Sequence, residues 1–337
     1  MKALILAGGL GTRLRPLTFT RPKHLLPIAN RPHIEHVFDL LLEHQVDEAV
    51  LLTSYLAETF EETVRAAKAR GIRLEVTHEQ EPLGTAGAIK NAESLLGDET
   101  ILVFNGDILT DADLTSIVGW HRDRNAEATI VLTPVENPSA FGVVSTDDGG
   151  RVLGFIEKPP PGEAPTNLIN AGIYVFEPSV LERIPPGEVW SAERQLFPGL
   201  VEEGAALYAS AVDAYWMDVG TPEKYLQANL DALEGRFHDP QVVGGREGSC
   251  LLGDGAVVAA DARISSACLG SGSEVGSQAT VERSVALPGV RIGGRARVVD
   301  SIIGERASVR AGAEVVGMTV ADESEVGGET QREREDR

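Results

Sequence analysis

The sequence predicts an α/β domain built on a doubly wound mixed sheet, followed by a parallel β-helix. Two patterns and one local motif predict it. Over residues 1–232 short apolar runs alternate with helical patterns. That is the element order of a doubly wound sheet, which takes its ligand at the carboxyl ends of its strands. From residue 248 onward apolar residues recur six apart with glycine beside them, the texture of stacked β-helix coils. The local motif is the opening of the chain, where the apolar run Ala3 to Ala7 breaks into Gly8-Gly9-Leu10-Gly11.

Residues 3–7 read as a buried parallel strand. A strand feeding a glycine-rich turn brings backbone N–H groups up to a phosphate. Arg13 and Arg15 add fork-shaped charge for phosphate oxygens, and Arg21 and Lys23 follow. The ligand this predicts is a nucleotide or another polyphosphate. Two common phosphate motifs do not fit. A dinucleotide fingerprint begun at Gly9 needs glycine where Leu14 stands, and a P-loop begun at Gly8 needs glycine where Arg13 stands. The glycines alone would serve a tight turn equally well, and it is the adjoining cations that favour a phosphate loop.

Further along, residues 49–53, 74–77, 101–104 and 128–133 read as strands, and 34–44, 57–70 and 85–96 as helices. Residues 141–145 and 152–157 form a hairpin turning at Asp147-Asp148-Gly149-Gly150. Residues 169–176 are a further strand and 191–203 a further helix. A break over 233–247, with Gly235, Pro240, Gly244 and Gly245, reads as a linker. The β-helix is expected over 248–326, with its apolar phase carried by Leu252, Val258 and Ile264, then Leu269, Val275 and Val281, then Ile292 and Val298, then Ile303, Val309 and Val315. Residues 327–337 are almost all charged or polar and are expected to be disordered.

Two apolar runs end in a carboxylate with a glycine close by. One is Ile101 to Asp107, the other Tyr215 to Asp218 with Val219-Gly220 after it. Strand ends are where an open α/β sheet meets its ligand. Asp107 could instead cap a helix, but Asp111 or Asp113 suits that task better. Asp218 could cap a helix beginning near Pro222. Together the two make a plausible Mg²⁺ pair, because that ion takes one or two carboxylates plus substrate phosphates.

Composition narrows the classes. The chain has 337 residues, with 30 Lys+Arg against 51 Asp+Glu and a formal charge of −21. Such a surface repels nucleic acid. No stretch has the length and hydrophobicity of a membrane span, and the first apolar run reads as a strand rather than a signal peptide. Cys250 and Cys268 show no metal or redox spacing and are expected as buried thiols of a cytoplasmic protein.

The run Leu6-Ala7-Gly8-Gly9-Leu10-Gly11-Thr12-Arg13-Leu14-Arg15-Pro16-Leu17-Thr18, with Arg21-Pro22-Lys23 and Leu26-Pro27 after it, resembles the signature of the sugar-nucleotide pyrophosphorylases. Those enzymes make an NDP-sugar from an NTP and a sugar 1-phosphate. The resemblance extends in ordered blocks over about residues 1–232. It implies their Rossmann-like nucleotide-diphospho-sugar transferase fold, and a C-terminal left-handed hexapeptide-repeat helix like that of many members.

It also implies roles. Leu6, Ala7, Gly8, Gly9, Gly11, Thr12, Arg13 and Lys23 would hold the triphosphate, Arg13 and Lys23 by charge. Gln80, Gly84 and Thr85, in the segment Glu79 to Gly87, would bind the base. Gly142, Glu157, Lys158, Asn170 and Gly172 would hold the sugar phosphate, Lys158 by charge and Glu157 and Asn170 through sugar hydroxyls. Asp107 and Asp218 would bind Mg²⁺. The implied partners are the two substrates and a second copy of the chain, the latter through the β-helix.

Residues 81–87, 170–174 and 216–220 are most similar to the GDP-mannose pyrophosphorylases, although the thymidylyl- and uridylyltransferases share the framework. A non-catalytic nucleotide-sensing subunit would be expected to lack Arg13, Lys23, Asp107 or Asp218, and all four are present. A hexapeptide-repeat acyltransferase would resemble its class in using a histidine within the repeats, yet the last of the seven histidines is His238.

Overall fold

The computed structural model describes residues 1–54, 56–79, 81–237, 245–247 and 250–327. Gln80, residues 238–244 of the expected 233–247 linker and the tail after residue 327 lie outside the described residues. The chain divides into two compact units. The first comprises Met1–Gly9 and Val37–Trp216, the second Leu10–His36 and Met217–Arg337.

The first unit is built on a nine-stranded sheet. Lys2–Ala7 runs parallel to Glu48–Thr53 on one side and to Ile101–Asn105 on the other. Arg73–His78 extends the parallel run beyond Glu48–Thr53. Leu4, Val50 and Val103 have no exposed surface, which is why these strands read as unbroken apolar runs rather than alternating ones. Strand order reverses at Lys2–Ala7, and in open α/β sheets the crevice at such a reversal is the ligand-binding edge.

The sheet is mixed because Leu168–Phe176 lies antiparallel to both Ile101–Asn105 and Ala128–Pro134. Gly142–Thr146 and Val152–Glu157 form the expected hairpin, with Val152–Glu157 at the sheet edge. Beneath the sheet, Tyr174, Phe176 and Phe197 stack in one aromatic cluster, with Phe197 5.2 Å from Tyr174 and 6.3 Å from Phe176 between ring centroids. Three predicted helices are subdivided: 57–70 become the 3₁₀ turn Ala57–Phe60 and the α-helix Glu61–Ala69. Residues 85–96 become Gly84–Asn91 and Glu93–Leu96, and 191–203 begin as a π-helical turn, Ala192–Leu196, before the α-helix Phe197–Glu202.

The second unit joins three parts. The first is the segment after the glycine turn, with short 3₁₀ turns at Thr12–Leu14 and Lys23–Leu25 and a small hairpin of Pro27–Ile28 against Arg31–Pro32. The second is the helix Pro222–Glu234, capped by Thr221 and ended by Gly235 in the left-handed region at φ 73°.

The third is a stack of short parallel strands in three sheets. Leu252, Leu269, Ala286, Ile303 and Val320 lie in one ladder. Val258, Val275, Ile292, Val309 and Val326 lie in a second, and Ile264, Val281, Val298 and Val315 in the third. Two steps of six are followed by one of five, so stacked positions are 17 residues apart. This arrangement is consistent with the left-handed β-helix expected. Cys250 and Cys268 are buried at its first coils and form no disulfide, and burial next to Cys250 pushes the Cys268 thiol up to about 12. Among the described residues no helix is long and apolar enough to cross a membrane.

Candidate active site

In the first unit, four chain segments leave the parallel strands at one edge. Gly8 follows Lys2–Ala7, Ser54 follows Glu48–Thr53, Glu79 follows Arg73–His78, and Gly106-Asp107 follows Ile101–Asn105. Strand register aligns them: Ala7 pairs with Thr53, Thr53 with His78, and Leu6 with Asn105. The Gly106 N–H donates to the Leu6 carbonyl at 2.9 Å. Leu6 and Ala7 are thus the last residues of the central strand, and Asp107 stands partly buried two residues beyond the end of the neighbouring strand. The capping role goes to Asp113, whose side chain accepts from Ser116 N–H at 3.0 Å.

The turn after the first strand is tightly covered. Ser54 Oγ donates to the Gly8 carbonyl. A Cβ on Gly8 would lie 2.9 Å from Glu79 Oε2 and 3.3 Å from Ser54 Oγ, so any other residue would displace them. Partial burial pushes the Glu79 carboxyl above its usual range, opposed by the Leu83 N–H that donates to it. Ser54 and Glu79 are absent from the expected contacts, which named Gln80 instead. Their signal was positional, since each is the first residue after a parallel strand at the edge shared with Gly8 and Asp107.

The predicted base segment is used structurally. Gly84 has φ +74°, and a Cβ there would lie 2.8 Å from the Trp190 carbonyl oxygen. That carbonyl accepts from the N–H groups of Ala86 and Gly87, both at 2.9 Å. Thr85 Oγ1 donates to Glu193 at 2.8 Å and accepts from Ala192 N–H at 2.8 Å. The open space at Gly84 therefore takes protein backbone, and the Thr85 hydroxyl is engaged by the 191–193 turn.

The predicted sugar-phosphate residues form two small clusters in the same unit. A Cβ on Gly142 would lie 2.5 Å from Phe155 and 3.0 Å from Glu157 Oε2. Lys158, left-handed at φ 52°, sits 3.5 Å from Glu157 with its ammonium largely exposed. In the other cluster Asn170 accepts from Gly172 N–H at 2.9 Å and donates to the Tyr174 hydroxyl at 2.8 Å. Gly172 has φ +74° and packs on Asn105, whose Nδ2 would be 2.8 Å from an added Cβ. Burial holds the Tyr174 phenol well above its usual range, so it stays neutral. Trp216 closes this side, donating to the Ala171 carbonyl at 2.8 Å and meeting Phe141 edge-on.

The second unit holds the predicted cations. Gly11 is left-handed at φ +61°, and a Cβ on it would lie 3.3 Å from Lys23 Cβ and 3.1 Å from a Thr18 methyl. Thr18 Oγ1 donates to the Gly11 carbonyl at 2.8 Å. Lys23 therefore starts directly beside the glycine turn. Thr12 and Arg13 lie exposed in the 3₁₀ turn that follows. A Cβ on Gly220 would lie 2.7 Å from Arg13 Nη2 and 3.0 Å from Asp218 Oδ1. Gly220 is the bare surface on which the Arg13 guanidinium and the Asp218 carboxylate meet. Asp218 also pairs with Lys224 at 3.6 Å, while the helix cap is Thr221.

A reversal-point edge lined by a glycine turn and a strand-end carboxylate is the mark of nucleotide-binding α/β enzymes. The Nucleotidyl transferase family model matches residues 2–235, and the chain belongs to that family. A model described as the GMPPB C-terminal domain matches residues 246–330.

Among similar proteins, mannose-1-phosphate guanylyltransferase of Mycobacterium tuberculosis is 42% identical over 261 residues, which are 77% of this chain and 72% of that protein. The mannose-1-phosphate guanylyltransferase catalytic subunit beta of Danio rerio is 44% identical over 230 residues, which are 67% of this chain and 63% of that protein. The UTP--glucose-1-phosphate uridylyltransferase of Synechocystis is 39% identical over 257 residues, covering 72% of this chain and 66% of that protein. Among solved structures, HddC from Yersinia pseudotuberculosis complexed with GMP-PN superposes with a TM-score of 0.59 at 29% identity, covering 68% of this chain and 97% of that chain.

Proposed function

We propose that the chain is a sugar-1-phosphate nucleotidyltransferase that joins mannose 1-phosphate and GTP into GDP-mannose and pyrophosphate. The observation that carries the reading is the strand edge at which Gly8 and Asp107 follow adjacent parallel strands, in a chain of the nucleotidyl transferase family. The choice of guanine and mannose draws its support from the guanylyltransferases at 42% and 44% identity. The similarity to the Synechocystis uridylyltransferase supports glucose 1-phosphate with UTP as the second reading.

The chemistry asks for charge neutralisation and alignment rather than a base. A phosphate monoester has its second pKa near ~6, so at pH 7 it is already largely a dianion. One of its oxygens attacks the α-phosphorus of the NTP in line. The new P–O bond forms as the bond to the β-phosphate oxygen breaks, and pyrophosphate leaves with the electron pair. Arg13 and Lys23 take up charge on the α-phosphate and on the departing pyrophosphate. Backbone N–H groups of the Gly8–Thr12 turn hold the phosphate chain. Gln80, Gly84, Thr85 and the neighbouring Glu79 serve the base. Lys158 faces the sugar phosphate, while Glu157 and Asn170 take sugar hydroxyls beside Gly142 and Gly172.

Asp107 and Asp218 offer hard carboxylate oxygens, the donors Mg²⁺ takes alongside phosphates. Among the described residues no group of three or more His, Cys, Asp and Glu could hold a metal ion, so phosphates would supply most of its ligands. When bound, Mg²⁺ would screen the phosphate charge. The reading also takes the chain as cytoplasmic and homo-oligomeric, acting on neither nucleic acid nor membrane.

A matrix of NTPs against sugar 1-phosphates, scored by pyrophosphate release, tests the proposal. GTP with mannose 1-phosphate is expected to be fastest. Release confined to UTP with glucose 1-phosphate would move the assignment to the second reading, and no release from any pair would overturn both.

A further inference from the structure

Within the second unit, the segment that carries Lys23 is tied to the β-helix through a partly buried charge cluster. Arg21 Nη2 lies 2.9 Å from Asp322 Oδ2 and 2.5 Å from Glu305 Oε2. Side-chain exposure is 17% for Arg21, 7% for Asp322 and 21% for Glu305. Thr20 Oγ1 donates to the same Asp322 oxygen at 2.5 Å. The other Asp322 oxygen accepts from the Glu305 N–H at 2.7 Å, which joins two successive coils at the point where Arg21 enters. The other arginine pairs of the helix differ: Arg283–Asp300, Arg297–Glu314, Arg306–Glu323 and Arg310–Glu325 join coil to coil with about half to two thirds of each side chain in solvent, and Arg306 also pairs with Glu305 from the solvent side.

The segment is anchored again further on. Asn30 Nδ2 donates to the Leu269 carbonyl at 2.9 Å, the Tyr225 hydroxyl to the Pro27 carbonyl at 2.6 Å, and Ala29 N–H to Asn229 at 2.9 Å. Between the anchors, Pro22 separates Arg21 from Lys23 with its φ held at −61°. Lys23 then opens a 3₁₀ turn closed by Leu25 N–H to the Pro22 carbonyl and Leu26 N–H to the Lys23 carbonyl. Between the Cα atoms of Arg21 and Lys23 the only soft torsions are the ψ angles of Arg21 and Pro22, since the ring fixes the φ of Pro22. A buried ion pair contributes little net stability compared with an apolar replacement, and its best-attested use is to set register.

We propose that Glu305 and Asp322 are positioning residues for nucleotidyl transfer. By holding Arg21 they fix Lys23 beside Gly11, and the β-helix thereby sets the geometry of the triphosphate side of the reaction. This rests on the functional reading above for the role of Lys23, and on the contacts alone for the tether.

The test uses the full chain carrying Asp322→Asn and Glu305→Gln. Asparagine keeps the oxygen that accepts from Glu305 N–H and removes only the charge. Hydrogen exchange at the Leu25 and Leu26 amides is expected to quicken, while the coil amides of Leu287 and Ile302 keep their protection. The KM for the NTP is expected to rise and kcat/KM for the NTP to fall by about tenfold to a hundredfold, the scale of an ångström misplacement, with the KM for sugar 1-phosphate unchanged. Glu305→Asp, which keeps the charge, should retain most of the wild-type KM, and Arg297→Gln should alter neither reading.

Unchanged exchange, an unchanged KM for the NTP, or an equal rise in both KM values would overturn the proposal. Asp322→Asn alone serves if the double variant does not fold. If the wild-type chain turns over no pair of substrates, the functional reading falls, and exchange still decides the tether.

Discussion

His121 shows how a single residue away from the reaction sets a condition on the fold. Its imidazole is almost wholly buried, with Nδ1 2.8 Å from Thr129 Oγ1 and Nε2 3.0 Å from Glu177. Burial lowers its pKa below the ordinary value, and Glu177 only partly opposes that. The unfolded imidazole titrates near ~6.5. Between the folded and unfolded values the unfolded chain binds more protons, so stability falls as pH falls. The contribution is fully present above the unfolded value and drains away below it. Thermal melts at pH 7 and pH 5 should show a larger loss for the wild type than for His121→Gln, and equal losses would refute the assignment. Glu79 has the opposite sense, since its raised pKa means that ionisation costs the fold something. It tolerates that cost where its carboxylate covers Gly8.

At the scale of elements, the sequence was most legible where one spacing rule governs many residues. The first strand, its glycine turn and Asp107 were readable because apolar runs that stop at a polar residue mark the end of a buried strand. The β-helix was readable because Val275, Ile292 and Val309 repeat the same inward position in successive coils. The close of each coil was less readable: the six-residue phase skips a position at every third corner, and a local count does not reveal that.

Glycine at the corners has a steric reason. A Cβ on Gly270 would lie 2.5 Å from Pro288 N and 2.7 Å from the Leu287 carbonyl carbon in the next coil. Both atoms are backbone, so the coil spacing itself would have to give. Gly270→Ala should cost about 1–3 kcal/mol by denaturant titration, the usual range for overpacking. A variant as stable as wild type would show that the coils can part without penalty.

At the scale of the whole molecule, the division of the chain was the least legible feature. Segment 10–36 groups with the β-helix rather than with the sheet it follows. The link that ties it there, Arg21 to Asp322, joins residues 301 positions apart, and a lone ion pair has no periodic signature for a sequence to display. The same limit applies to Gly84 and Gly87, which lie against the backbone of Trp190 and of Glu188 respectively, contacts that no local pattern announces. Residue types and strand ends are legible in the sequence, while long-range polar contacts leave no local pattern in it. The charge of −21 makes the cations Arg13 and Lys23 more informative, because the rest of the chain would repel a triphosphate.

The central claim, that this chain moves a nucleotidyl group using the carboxylate at the end of its central sheet, is tested most directly by ³¹P NMR. GTP, mannose 1-phosphate and Mg²⁺ would be followed with wild type and with Asp107→Asn, both checked for the same melting temperature. GDP-mannose and pyrophosphate are expected to appear one for one with wild type, and the rate to fall by about a hundredfold or more in the variant, the scale of losing one transition-state charge contact. Equal rates in the two proteins, or no nucleotide sugar from the wild type, would contradict it.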